Sequence, residues 1–185
     1  MPNHCYTHLN VVGDVDEMRD FTSVALECES SNKGFIPTLV PLPEDGDLGQ
    51  QYDLWGTKWG DIDLYVCDHG VEDGNQLLDA SDRRVDEHGY ATLEYWTPWN
   101  PATAAMSTIS RMFPSCLFEA SYIDEMGCFY AGGIYQDGQY LEISRQYSDD
   151  DWERINEDPS YQYELLDTLV SDMVTEWAKG VRGPN

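Results

Sequence analysis

Apolar and polar residues alternate along Tyr6–Gly13 (YTHLNVVG), with Leu9 and Val11 set against polar neighbours, which predicts a strand. The next apolar positions fall at helical spacing. Val15, Met18, Phe21, Ala25 and Leu26 share one face, Asp14 stands at the cap position, and Glu17 sits three residues on, as a capping box requires. Three prolines interrupt GFIPTLVPLPEDGD, so this stretch reads as an extended, buried meander. DIDLYVCD alternates again, with Ile62, Leu64 and Val66 on one side. Residues 70–89 hold no period; they read as an exposed, charge-rich insertion with one helical turn about Leu77 and Leu78. YATLEYWT returns as a strand. Asn100 and Pro101 open a helix whose face is Ala105, Met106, Ile109 and Phe113, and Pro114 stops it. CLFEASYI is a strand, and GCFYAGGIYQDGQYLEISRQY a hairpin that turns at Asp137–Gly138 in type I′ geometry. Gly132–Gly133 is expected to mark a bulge. Beyond the acidic SDDD comes the clearest helix, capped by Asp158, opened by Pro159 and ended by Gly180. Its apolar face runs from Tyr161 through Leu165, Leu166, Leu169, Val170, Met173 and Val174 to Trp177.

The first six elements make βαββαβ. This predicts an α+β, ferredoxin-like antiparallel sheet with helices on one face, extended by a C-terminal β-hairpin and helix. Residues 1–147 form the ferredoxin-like domain with the insertion at about 70–89. Residues 148–185 form an acidic linker and an amphipathic helix packed on the same domain. The apolar face of that helix is wide enough to serve a second copy too, so a homodimer through it is an open expectation.

At 185 residues and 41% hydrophobic content, the chain can bury a real core. No apolar run approaches the ~18 residues of a membrane span. The opening MPNHCYTHLN lacks the basic and apolar regions of a signal peptide, so a cytoplasmic location is expected. Five cysteines, an odd number without CxxC spacing, read as reduced thiols. Charge changes the picture most. Ten basic residues against thirty-five acidic ones leave −25. Such a chain repels nucleic-acid phosphates and anionic membranes. Three readings of the acidity stand: solubility, a halophilic source with aspartate ahead of glutamate and scarce lysine, or imitation of DNA. Duplex DNA carries about one charge per ~1.7 Å, so this charge would match roughly 40 Å of duplex if it lay on one side.

Candidate chemistry centres on DLWGTKWGD. It places Lys58, one of three lysines, between Trp55 and Trp59. YWTPWNP adds Trp96 and Trp99. In the predicted sheet these two segments reach one rim, so Trp55, Thr57, Lys58, Trp59, Trp96, Trp99 and Asn100 form the candidate ligand site. Indoles supply flat faces, and Lys58 a cation above them. The plainer reading is an aromatic cluster that closes the sheet end. His4, Cys5 and His8, with Cys67, Asp68 and His69, are metal-ligand types, but no spacing completes a tetrad, so no metal is expected. Carboxylates such as Glu119, Asp124 and Glu125 abound without a defined pair. No cofactor or nucleophile motif appears, so no cofactor is expected and catalysis is disfavoured.

MPNHCYTHLNVVG, WGTKWG, YWTPWNP and FPSCLFEASYIDEMGCFYAG occur in that order. Together they resemble a phage- and plasmid-borne family of uncharacterised proteins with a YubB-type ferredoxin-like domain, over roughly residues 1–135 without the insertion. The matching positions are Asn3, Trp55, Gly56, Thr57, Lys58, Trp59, Trp96, Trp99, Pro101, Phe113, Pro114, Met126 and Gly127. The resemblance implies a ferredoxin-like fold and a mobile-element source, and it brings no activity.

The leading functional expectation is a non-enzymatic accessory protein of a phage or related element. It would bind and inhibit a host defence or nucleic-acid-handling protein through an acidic, DNA-like surface, with Asp82, Asp86, Asp149, Asp150 and Asp151 as contacts. The alternative is a binder or sponge for a nucleotide-like small molecule at the tryptophan rim. A carboxylate hydrolase is the third reading.

Overall fold

The computed structural model describes residues 3–77 and 84–183, and between 72 and 87 the backbone alone. In chain order the elements are β1 (His4–Gly13), α1 (Val15–Ser31), α2 (Phe35–Leu39), α3 (Leu48–Trp55), β2 (Ile62–Leu77) and β3 (Arg84–Pro98). There follow α4 (Thr103–Met112), β4 (Leu117–Asp124), β5 (Tyr130–Gln136), β6 (Gln139–Arg145), α5 (Asp149–Glu157) and α6 (Tyr161–Ala178). The strands form one sheet in the order β2-β3-β1-β4-β5-β6, and every pairing is antiparallel. Its first four strands with α1 and α4 are the ferredoxin-like βαββαβ unit. The hairpin β5–β6 adds two strands beyond β4.

Alternation decides the two faces. Cys5, Thr7, Leu9 and Val11 of β1 are buried on what we call the front, with Leu93 and Tyr95 of β3 and Phe118, Ala120 and Tyr122 of β4. Here α1 contributes Met18, Phe21, Ala25 and Cys28, and α4 contributes Ala105, Met106 and Ile109. Phe21 is the hub, edge-on to Phe113 at 5.4 Å and Phe118 at 5.5 Å. The back face is covered by α6. Leu166, Leu169, Met173 and Trp177 pack with Tyr130, Ile134 and Leu141 of the hairpin. The apolar face that sequence left open to a second copy is thus largely spent on this sheet, with Val174 left exposed.

Several local expectations are revised. Asp14 does cap α1, accepting from the N–H groups of Asp16 and Glu17, but Glu17 does not close a capping box. Its carboxylate instead accepts from Ser115 N–H and Oγ, 98 residues away. The proline-rich meander contains α2, with Pro37 in the first turn where its missing N–H costs nothing, and then α3. The backbone of β2 runs to Leu77 and that of β3 starts at Arg84, so the described parts of the expected insertion are strand, and Leu78 of the expected helical turn lies outside the described residues. Bulges after Ile62 and Val66 break the clean alternation of β2 and leave Ile62 38% exposed. α4 begins two residues beyond the expected proline start, at Thr103. Gly132–Gly133 makes no bulge; the β4–β5 and β5–β6 registers are continuous there. A Cβ on Gly132 would stand 2.7 Å from Met173 Cε, so this glycine lets α6 lie close. The expected turn is present, with positive φ at Asp137 (49°) and Gly138 (74°). The acidic linker is α5, held by a Ser148–Asp151 capping box. The N-cap of α6 is Ser160, two residues past Asp158.

Candidate functional site

The four tryptophans do not meet at one rim. Trp55 closes α3 and is core, 4% exposed, with its indole N–H donating to Val40 O at 2.7 Å. Thr57 is fully buried, and its hydroxyl donates to Pro98 O at 2.6 Å. Trp96 falls on the back face beside Tyr6, ring centroids 5.1 Å apart, because positions 95 and 97 take the front. What remains of the bracket is Lys58, with Nζ 4.5 Å from the Trp99 ring centre and 5.2 Å from that of Trp59. Trp99 is 43% exposed and adopts φ 69°, an uncommon backbone state for a bulky residue. Its N–H donates to Asn3 O, which holds the strained turn. Gly56, at φ 80°, lets this loop press on the start of α4: a Cβ there would meet the backbone N of Ala104 at 3.3 Å.

Beside this ledge lies a cavity of about 550 Å³ between the start of α4 and the front of β5–β6. Its origin is geometric. The far end of α4 is tied to the hairpin turn, where Gly138 N–H donates to Ser110 Oγ and Ser107 Oγ donates to Gly138 O. The near end, at Asn100–Thr103, stands off from β6. Asn100, Thr103, Glu142 and Ser144 supply polar groups, and Phe129 with the edge of Tyr122 supplies apolar wall. Tyr122 OH donates to Tyr135 OH at 3.0 Å, and Tyr135 OH donates to Glu142 Oε1 at 2.9 Å. Partial burial pushes the Glu142 carboxyl above its usual range, offset by the Tyr135 hydrogen bond. Burial pushes both phenols upward, so the relay is neutral except at Glu142. Glu142 Oε2 and the side chains of Asn100, Thr103 and Ser144 take no hydrogen bond within the described residues. Of this wall, the sequence marks only Asn100 as a ligand contact, with Gly56 and Pro101 as family-matching positions. Glu142 is one of thirty-five carboxylates, and its partner Tyr135 is marked by nothing but the strand alternation of GIYQ.

The proposed acidic contacts divide. Asp149, Asp150 and Asp151 form the first turn of α5, where negative charge suits the helix dipole. Asp151 is committed further, accepting from Ser148 N–H and Oγ, and these bonds hold its carboxyl below the usual range. Asp82 and the side chain of Asp86 lie outside the described residues. Among those described, lysine and arginine reach carboxylates at Arg19–Asp16, Arg145–Asp172 and Lys179–Glu176, all at the surface.

The metal-ligand types are dispersed. His4 pairs with Glu125 and His8 with Glu94, and no group of three or more such side chains among the described residues is placed to hold a metal. Burial pushes the Cys5 and Cys116 thiols up to about 12, so they are inert packing groups. Asp61 was unmarked in sequence beyond closing the bracket. It is buried and accepts from the N–H groups of Phe35 and Ile36, which fixes the start of α2. Burial pushes it up to about 6 against those two bonds. On the back face Glu94, His8 and Ser121 stand side by side across β3, β1 and β4. No His8–Ser121 hydrogen bond is present among the described residues, and a serine in a strand paired on both sides commits its N–H to the sheet.

Residues 79–163 match the family model described as a ferredoxin-like domain in Api92-like protein. That stretch takes in β3 to α5, including the hairpin that extends the sheet. Among solved structures, the protein api92 from Yersinia pseudotuberculosis is similar at 15% identity and a TM-score of 0.33. The alignment covers 57% of this chain and 32% of that one, so the chain spans about a third of its length. No curated protein matches. No described helix is long and apolar enough to cross a membrane.

Proposed function

We propose that the protein is a non-catalytic binder of a small planar ligand of the nucleoside or nucleotide type, seated in the α4/β5–β6 cavity. One observation carries this: a cavity of about 550 Å³ into which Glu142, Asn100, Thr103 and Ser144 bring uncommitted polar groups over an aromatic wall. Ligand sites are commonly of this size, with few polar groups on an apolar lining. The free oxygen of Glu142 takes an amino or imino N–H of a base, and the Asn100 amide both donates and accepts. Lys58, two residues from the lining Gly56, offers a positive charge at the margin to a phosphate. The strained turn at Trp99 supports the same reading, since such backbone cost is tolerated where a site needs it. Calorimetric titration with paired nucleosides and nucleotides tests the proposal. Saturable binding of one ligand per chain is expected, with Lys58→Ala removing the preference for the phosphorylated member of each pair. Absence of binding across the panel refutes it.

A second reading rests on the net charge of −25 and on the exposed first turn of α5. In it the acidic surface binds a basic host protein, in the cytoplasm of a cell carrying the phage or plasmid source, and occupies a groove built for phosphates. Capture from host lysate at two salt concentrations tests it. Binding that persists unchanged at high salt counts against charge as its basis.

A further inference from the structure

A second cavity, of about 360 Å³, opens on the back face between the start of α6 and strands β1, β3 and β4. It is separate from the front cavity in every lining residue. Its sheet wall is Tyr6, His8 and Glu94, and its helix wall is Tyr163 and Asp167 over Leu166. No lysine or arginine lines it. Leu166 is buried and gives an apolar floor, while Tyr163 is 54% exposed and can close over an occupant. The Glu94 carboxylate lies 3.5 Å from His8 Nδ1 yet remains about one-third exposed, at 37%.

We propose that this back-face cavity binds a small organic cation, an alkylammonium or guanidinium compound. Two carboxylates supply the charge, and two phenol rings supply the quadrupole faces that attract a diffuse cation. A bare metal ion is a poorer occupant, because the described residues present no set of three converging ligand groups. Burial, and then the neighbouring Glu94, push the Tyr6 phenol upward, so it stays a neutral π face and donor. The strongly negative chain raises the local concentration of any cation.

Titrations of the full chain with choline and with agmatine, followed by calorimetry at low salt, test this. One saturable site per chain is expected for at least one of them. Glu94→Gln should weaken it about tenfold or more, the effect of losing about 1.4 kcal/mol, and Tyr163→Ala should weaken it too. The neutral isostere 3,3-dimethylbutanol should not bind, and Glu142→Gln should leave cation affinity unchanged. Failure of both cations to saturate, equal affinity in a folded Glu94→Gln variant, or loss of binding in Glu142→Gln would each overturn the proposal. Because the two cavities share no lining residue, the two proposals fail independently.

Discussion

Along β1, Thr7 and Leu9 point to one side of the sheet and Tyr6 and His8 to the other, and the two sides have become different materials. The front is closed by α1 and α4 and is dry across β3, β1 and β4. The back is covered by α6 alone, and a polar row runs across the strands at its edge. Widths account for the contrast. Six strands at about 4.8 Å span roughly 24 Å, whereas a helix with its side chains is about 10 Å across. Two crossover helices cover about four strands, and one covers about two. Each cover ends over the sheet, and a cavity lies at each end: one between α4 and β5–β6 in front, one between α6 and β1–β3 behind. The chain places its core where the cover is complete and its uncommitted polar groups where the cover stops.

Breaking the front should therefore cost most. Phe21→Ala removes the hub of the aromatic cluster and should lower stability by about 3–5 kcal/mol in urea denaturation. The next effect is in pH. Asp61 is raised to about 6 from an unfolded value of 3.8, so its contribution is fully present below 3.8 and lost as pH rises through 6. Between pH 4 and 7.5, Asp61→Asn should gain up to about 3 kcal/mol on the wild type, measured as the difference between two denaturation series. A pH-independent difference would show that the clamp on α2 is ionised without penalty. Behind the sheet, Gly132→Val drives a side chain into Met173 and should cost about 1–3 kcal/mol, with loss of α6 protection in hydrogen exchange. The smallest effect belongs to the ledge. Lys58→Ala should change stability by no more than about 1 kcal/mol, the loss of cation–π contacts at a half-buried site.

How much of this was legible in sequence differs element by element. β1, α1, β2, β3, α4, β4, the hairpin and α6 announce themselves by period, and the order of the first six gives the βαββαβ core. Glu17 misled because the local capping signal is the same whether its carboxylate turns back to the helix or reaches to Ser115. Pro37 misled because a proline in a first helical turn looks like a proline in an extended chain. The tryptophan rim failed on strand parity. Trp96 and Thr97 are neighbours in sequence, but they stand on opposite faces, and Trp55 had an undetected helix to end. Asn100 was found because it follows Trp99. Glu142 and Tyr135 were missed because their meeting depends on the β5–β6 register, which sets Tyr135 against Tyr140 and puts Glu142 two residues along the same face.

Whether the front cavity is a ligand site is decided by a chemical-shift titration of the labelled protein with adenosine and cytidine. Saturating shifts are expected at the backbone amides of Asn100, Thr103, Phe129 and Ser144, with the affinity reduced about tenfold in Glu142→Gln and untouched in Glu94→Gln. Shifts confined to the back face, or none at either cavity at millimolar ligand, would contradict it.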